Sequence, residues 1–198
     1  LYVAEKLKGN RFFYPSNCDF RGRVYNVPAF LGIQGTDMSR GLLQFYRSCK
    51  IKNEKDARWL AIHGANTFGN DKVSLDDRVK WAYDFGKIAI DIAQNPTDHL
   101  LWTEAASPWQ FLAWCFEWRN YMVNKKIDSF LPVNMDATNN GLQILSMLTR
   151  DEYGMQATNV LPTSTPADIY RVVSDKVVEQ LKIDLQQGVA FSQQWLDF

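Results

Sequence analysis

The segment Ser107-Pro108-Trp109-Gln110, followed at once by Phe111, Trp114, Phe116 and Trp118, constrains the fold more than any other stretch of the chain. Serine with glutamine three residues later is a helix-start pattern, and proline at the first helical position removes no donor that the helix needs. The helix that follows carries large aromatic side chains, which are usually buried. A core helix is therefore expected over this region. The alternative is an aromatic surface that docks nucleic acid or a partner protein.

Other helices announce themselves in the same way. Asn53-Glu54-Lys55-Asp56 predicts a helix to about Thr67, with Trp59, Ile62, His63 and Asn66 on one side. Ser74 and Asp77 predict one long helix that Asn95-Pro96 ends, with Val79, Ala82, Gly86, Ile90 and Ala93 sharing a face. Thr165-Pro166-Ala167-Asp168 predicts another, with Ile169, Val173, Val177 and Leu181 inward and Gly188 near its end. The opening LYVAEKLKGN has the pattern of a helix tail stopped by Gly9, and SQQWLDF that of a helix barely begun at Ser192. Both ends are thus expected to lie inside a longer polypeptide.

Strand signals are fewer. Residues 11–14 and 20–27 are expected to form two arms around Pro15-Ser16-Asn17, and 130–135 (FLPVNM) a short strand closed by Asp136. The fold class is α+β, mostly helical, with a small antiparallel sheet. With 46% hydrophobic and 22% charged residues, disorder, collagen and coiled coil are excluded. No apolar run approaches the ~18 residues that span a bilayer, and no secretory signal is visible. A cytoplasmic site of action is expected. Cys18, Cys49 and Cys115 form no paired framework and are expected to be reduced. His63 and His99 lie far from any Cys cluster, and His63 is read as structural rather than catalytic.

Two constellations carry chemistry. In Asp19-Phe20-Arg21-Gly22-Arg23-Val24-Tyr25 a strand would place Asp19, Arg21, Arg23 and Tyr25 on one face. The two guanidiniums would then stand about 7 Å apart, near the phosphate spacing of a nucleic-acid strand. Tyr25 would offer a stacking surface and Gly22 a close backbone approach. The competing reading is an exposed strand with its arginines paired to Asp19 and other acids. The second constellation is Met135-Asp136-Ala137-Thr138-Asn139-Asn140-Gly141-Leu142-Gln143. A carboxylate ending a buried strand needs compensation. A divalent cation would supply it, since Mg²⁺ binds one or two carboxylates together with substrate phosphates. Equally, Asp136 could cap the next helix, which is apolar on more than one side and expected to be buried.

With FFYPSNCDFRGRVYNV, QGTDMSRGLLQF, IHGAN, SPWQFLAWCFEW and MDATNNGLQILSMLTRDEYG ending in NVLP, in that order, the sequence resembles the single-subunit DNA-directed RNA polymerases of bacteriophages and mitochondria. The resemblance implies part of a right-hand polymerase fold. Residues 1–48 would be the first part of the palm and 49–128 a helical palm insertion. Residues 129–165 would be the palm strand and helix bearing the first catalytic aspartate, and 166–198 the start of the fingers. Asp136 matches the metal-binding aspartate, and the Ala137 backbone carbonyl a second ligand. Arg21, Arg23 and Tyr25 match a segment lining the template–product channel. Gly141 matches a glycine near the incoming nucleotide's sugar. The family usually has Gly where Ala137 stands, Cys at Asn139 and His at Ile144, but the carbonyl at Ala137 survives any side-chain change.

The resemblance also implies two Mg²⁺ ions in the complete enzyme, a DNA template, an RNA product and ribonucleoside triphosphates as partners, and a monomer without membrane contact. This stretch lacks a second palm aspartate in a His-Asp-Ser motif and the fingers lysine, so it is expected to be inactive by itself. A DNA polymerase sharing the palm, and a non-catalytic helical module that binds nucleic acid, are the rival readings.

Overall fold

The structure is a computed structural model and describes residues 1–134, 139–189 and 191–196. It divides into two compact units, Leu1–Asn134 and Met135–Phe198. The fold is α+β and mostly helical, with two small antiparallel sheets among the described residues.

In the first unit, α1 (Tyr2–Leu7) stops ahead of Gly9, whose φ of +74° is open to glycine at little cost. A hairpin follows, β1 (Ser16–Cys18) paired with β2 (Val24–Asn26). Next come α2 (Asp37–Gly41), β3 (Cys49–Ile51) and α3 (Glu54–Phe68). Then α4 (Leu75–Asp84) and α5 (Gly86–Gln94) lead through a 3₁₀ turn at Leu100–Glu104 to α6 (Pro108–Asn124) and β4 (Ile127–Ser129). β3 and β4 pair antiparallel with Ile51 opposite Ile127. The helices between them therefore leave and return at one small sheet.

The core is built on α6. Phe111, Trp114, Cys115, Trp118 and Tyr121 repeat at helical spacing and are buried, while Trp109 and Phe116 lie on the far side, half exposed. Phe111 stacks on Trp114, and Trp114 on Trp118, at 5.2 and 5.3 Å between ring centroids. The Trp114 indole N–H donates to the Leu60 carbonyl at 2.8 Å, which satisfies its polar edge inside the core. Gly64 makes this contact possible, because a Cβ there would sit 2.1 Å from the Trp114 ring. The expectation of a core helix over 108–118 is met, for a steric reason that also explains the Gly of IHGAN.

Several expectations need correction. Ser107 makes no side-chain cap on α6. The cap is the carboxylate of Asp37, which accepts from the Trp109 amide at 2.7 Å and the Gln110 amide at 3.3 Å. Asn53 and Ser74 do cap as expected, accepting from the amides of Asp56 and Asp77. The long helix over 75–94 is interrupted at Phe85, where Gly86 lies buried with the Trp118 indole 3.2 Å from the place of a Cβ. Trp59 is 59% exposed and does not share the buried face of α3, which runs through Ala57, Leu60, Ala61, Gly64 and Ala65. Residues 130–134 form no strand; β4 lies just upstream, and Pro132 has no N–H to give a ladder.

In the second unit, α7 (Asn140–Thr149) and α8 (Glu152–Ala157) pack closely. A Cβ at Gly154 would meet Ser146 Oγ at 2.3 Å, so glycine sets their approach. The expected burial of the first of these helices is not found. Ile144, Leu145, Met147 and Leu148 are exposed and only Ser146 is buried. The last helices are α9 (Ile169–Gln186) and α10 (Ser192–Leu196). The 18-residue α9 begins at Asp168, which accepts from the Tyr170 and Arg171 amides, not at Thr165. Ile169 is buried, but Val173 and Val177 are exposed. No helix among the described residues is long and apolar enough to cross a membrane.

Replacing Gly64 by Ala is expected to destabilise the protein by about 1–3 kcal/mol, because the indole has nowhere to move in a packed core. The thermal midpoint should then fall by several degrees; an unchanged midpoint would show that Trp114 is loosely seated.

Candidate nucleic-acid and metal site

The hairpin turn runs through Asp19–Arg23 and not through Pro15-Ser16-Asn17, with Cys18 opposite Val24. One carboxylate builds it. Asp19 Oδ1 accepts from the backbone amides of Arg21 at 2.9 Å and Arg23 at 3.0 Å. Gly22 takes φ +80°, the left-handed conformation that closes the turn. The Arg23 amide foremost, with help from the Arg21 side chain, holds the Asp19 carboxyl below its usual pKa. Asp19 thus stays ionised as the turn's anchor.

A strand face with alternating arginines therefore does not form. Arg21 folds back, its Nε and Nη2 reaching Asp19 Oδ2 at 3.1 and 3.0 Å. Its guanidinium also lies 5.6 Å from the Phe20 ring, which is 97% exposed at the hairpin tip. Arg23 is exposed and has no ion pair among the described residues. Tyr25, on β2, is partly exposed with its ring open to solvent. The hairpin thus presents one compensated guanidinium, one uncompensated one and two exposed rings. Gln34 braces it, donating to the Val24 carbonyl and accepting from the Asn26 amide, both at 3.2 Å.

Asp136 and Ala137, the expected metal ligands, lie outside the described residues. Asn139 caps α7, accepting from the Leu142 amide at 3.4 Å with its own backbone at φ +52°. Gly141 stands in the first turn of that helix, and a Cβ there would meet nothing within 4 Å. Arg21, Arg23 and Tyr25 share one hairpin of the first unit, whereas Gly141 belongs to the second. Among the described residues no group of three or more His, Cys, Asp or Glu is placed to hold a metal ion.

Sequence patterns alone do not single out Asp37 or Asn134, and they mark Gln110 only as part of a helix-start pattern. Asp37 Oδ1 accepts from Gln110 Nε2 at 2.9 Å, and Gln110 Oε1 in turn accepts from Asn134 Nδ2. The acid inside QGTDMSRG is the sequence signal for Asp37, and its partner Trp109 is 72 residues away. His63 is a core residue of α3; burial pushes its imidazole down to about 4. Burial raises the Cys115 thiol, while Cys18 and Cys49 are exposed and free.

The family model described as DNA-dependent RNA polymerase matches residues 50–198. Among curated proteins, the chain is 37% identical over 196 residues to the mitochondrial DNA-directed RNA polymerase of Neurospora crassa, covering 97% of this chain and 14% of that protein. It is 39% identical over 190 residues to T7 RNA polymerase of Escherichia phage T7, with 95% and 21% covered. It is 40% identical over 177 residues to the DNA-directed RNA polymerase of Enterobacteria phage T3, with 89% and 20% covered. The chain spans about a fifth or less of the length of these relatives.

Because His63 is neutral when buried and its unfolded pKa is about 6.5, the unfolded chain binds the extra proton between pH 6.5 and 4. Stability is expected to be fully present above that window and to decline as pH falls through it, by up to about 3 kcal/mol. Urea titrations at several pH values should show this slope, and His63→Gln should flatten it. An equal slope in both proteins would place the titrating group elsewhere.

Proposed function

Since the chain belongs to the DNA-dependent RNA polymerase family, we propose that the protein carrying it copies a DNA template into RNA by nucleotidyl transfer from ribonucleoside triphosphates. The observation that carries the reading is the family match over residues 50–198, which contains Asp136, joined to relatives that align with nearly the whole chain. All the relatives named above are RNA polymerases, which favours ribonucleotides over the deoxynucleotides of the related palm enzymes.

In this reading residues 1–48 and 129–165 are palm, 49–128 a helical insertion and 166–198 the start of the fingers. The pairing of β3 with β4 supports the insertion, since it returns the chain to its point of departure after a helical excursion. Asp136 and the Ala137 carbonyl are assigned to Mg²⁺, which when bound activates the attacking hydroxyl and stabilises the leaving pyrophosphate. The protein's own contribution is mostly positional. Arg23, uncompensated at the turn, attracts a phosphate of the template or product strand, a contact that fixes register without reading sequence. Arg21 contributes less charge because Asp19 already holds it. Tyr25 supplies a ring on which a base or sugar can stack. Gly141 leaves room beside the first turn of α7 for the nucleotide's sugar.

The test is RNA synthesis by the complete polymerase on a defined template. Asp136→Asn should lower kcat by several orders of magnitude with the thermal midpoint unchanged. Metal-assisted charge stabilisation is worth several kcal/mol, and about 1.4 kcal/mol is tenfold. A near-normal rate would reduce Asp136 to a structural acid.

A further inference from the structure

Three distant pieces of the first unit meet in one polar chain. Asp37 Oδ2 accepts from the Trp109 amide at 2.7 Å. Its Oδ1 accepts from the Gln110 amide at 3.3 Å and from Gln110 Nε2 at 2.9 Å. A carboxylate can only accept, so the Gln110 side chain must turn its NH₂ toward Asp37 and its oxygen away. That oxygen accepts from Asn134 Nδ2. The orientation of both amides is therefore dictated by the acid at the head of the chain rather than chosen among equivalent flips. Gln110 is buried, and a buried amide bonded at both ends resists displacement, because moving either partner leaves a desolvated polar group unpaired.

The anchor at the other end is firm. Asp37 sits at the positive end of the 17-residue α6, where negative charge is favoured. Gly41 presses its backbone onto the same turn, with a Cβ there only 2.7 Å from the Trp109 carbonyl carbon. At the Asn134 end Leu131 packs partly buried against the aromatic core, and its amide donates to Ser129 Oγ at 3.4 Å. Among the described residues, 130–134 form no strand, and the Phe45 amide donates to the Phe130 carbonyl at 2.9 Å. Asn134 stands two residues before Asp136.

We propose that Asp37, Gln110 and Asn134 form a positioning relay that ties the chain just ahead of Asp136 to the rigid start of α6. Gln110 and Asn134 are positioning residues: they act through Asp136 and touch no reacting atom. The proposal rests on the reading of Asp136 as the catalytic acid. It assigns a role in the reaction to the Gln of SPWQ and the Asn of PVNM, both of which lie outside the arginine hairpin.

Asn134 is at the surface, so Asn134→Ala leaves the fold intact and is the primary variant. In the complete polymerase it should lower kcat about tenfold with the KM for ribonucleotides unchanged. Hydrogen exchange should quicken in the peptide over 130–139 and stay unchanged over 112–124. Gln110→Met, similar in volume but unable to make either bond, should do the same, and the double variant should be no worse than the worse single one. Wild-type kcat and exchange in Asn134→Ala, alongside an inactive Asp136→Asn, would overturn the relay and leave the polymerase reading standing. An active Asp136→Asn would overturn both.

Discussion

The carboxylate of Asp37 at the start of α6 is the contact on which the first unit's arrangement depends. A helix of this length leaves its first amides without partners, and here the partner comes from 72 residues upstream. An N-cap is typically worth about 1 kcal/mol, and a charged acceptor at the helix's positive end adds to it. Its larger effect is topological. The same QGTDMSRG block places Gln34 on the hairpin edge, Thr36 on the first turn of α2 and Gly41 against Trp109. One short segment thereby connects the arginine-bearing hairpin to the aromatic core.

That core supplies rigidity by shape. The stacked rings of Phe111, Trp114 and Trp118 fill the space between α3 and α5, and Gly64 admits the middle ring. A glycine here serves close approach, not unusual backbone conformation. The small β3–β4 sheet then closes the unit, with Ser48 Oγ reaching Asp128 at 3.2 Å beside it.

Local signals were legible in the sequence and long-range ones were not. Asn53, Ser74, Gly9 and the aromatic period of α6 act within a turn or two, so their residue types reveal them. Ser107 looked like a cap because its own pattern is complete; nothing local says that Asp37 takes its place. Composition points to a turn at Pro15-Ser16-Asn17, because those residue types favour turns. The observed turn depends instead on Asp19 accepting two amides at once. For α7, the apolar pattern records which side chains favour burial and does not name what they pack on; Leu148 is 78% exposed. Of the site, the residue types Arg21, Arg23 and Tyr25 are legible, and so is the pairing of Arg21 with Asp19; that this pairing closes a turn instead of lining a strand face is not.

The central proposal is that Asp136 would hold a divalent cation beside the phosphates of an incoming ribonucleotide. The most direct measurement is anomalous diffraction from Mn²⁺ in crystals of the complete polymerase with template, RNA primer and a non-hydrolysable ribonucleoside triphosphate. The account predicts an anomalous peak within coordination distance of the Asp136 carboxylate. An Asp136 side chain turned onto neighbouring backbone amides, with the manganese bound elsewhere, would contradict it.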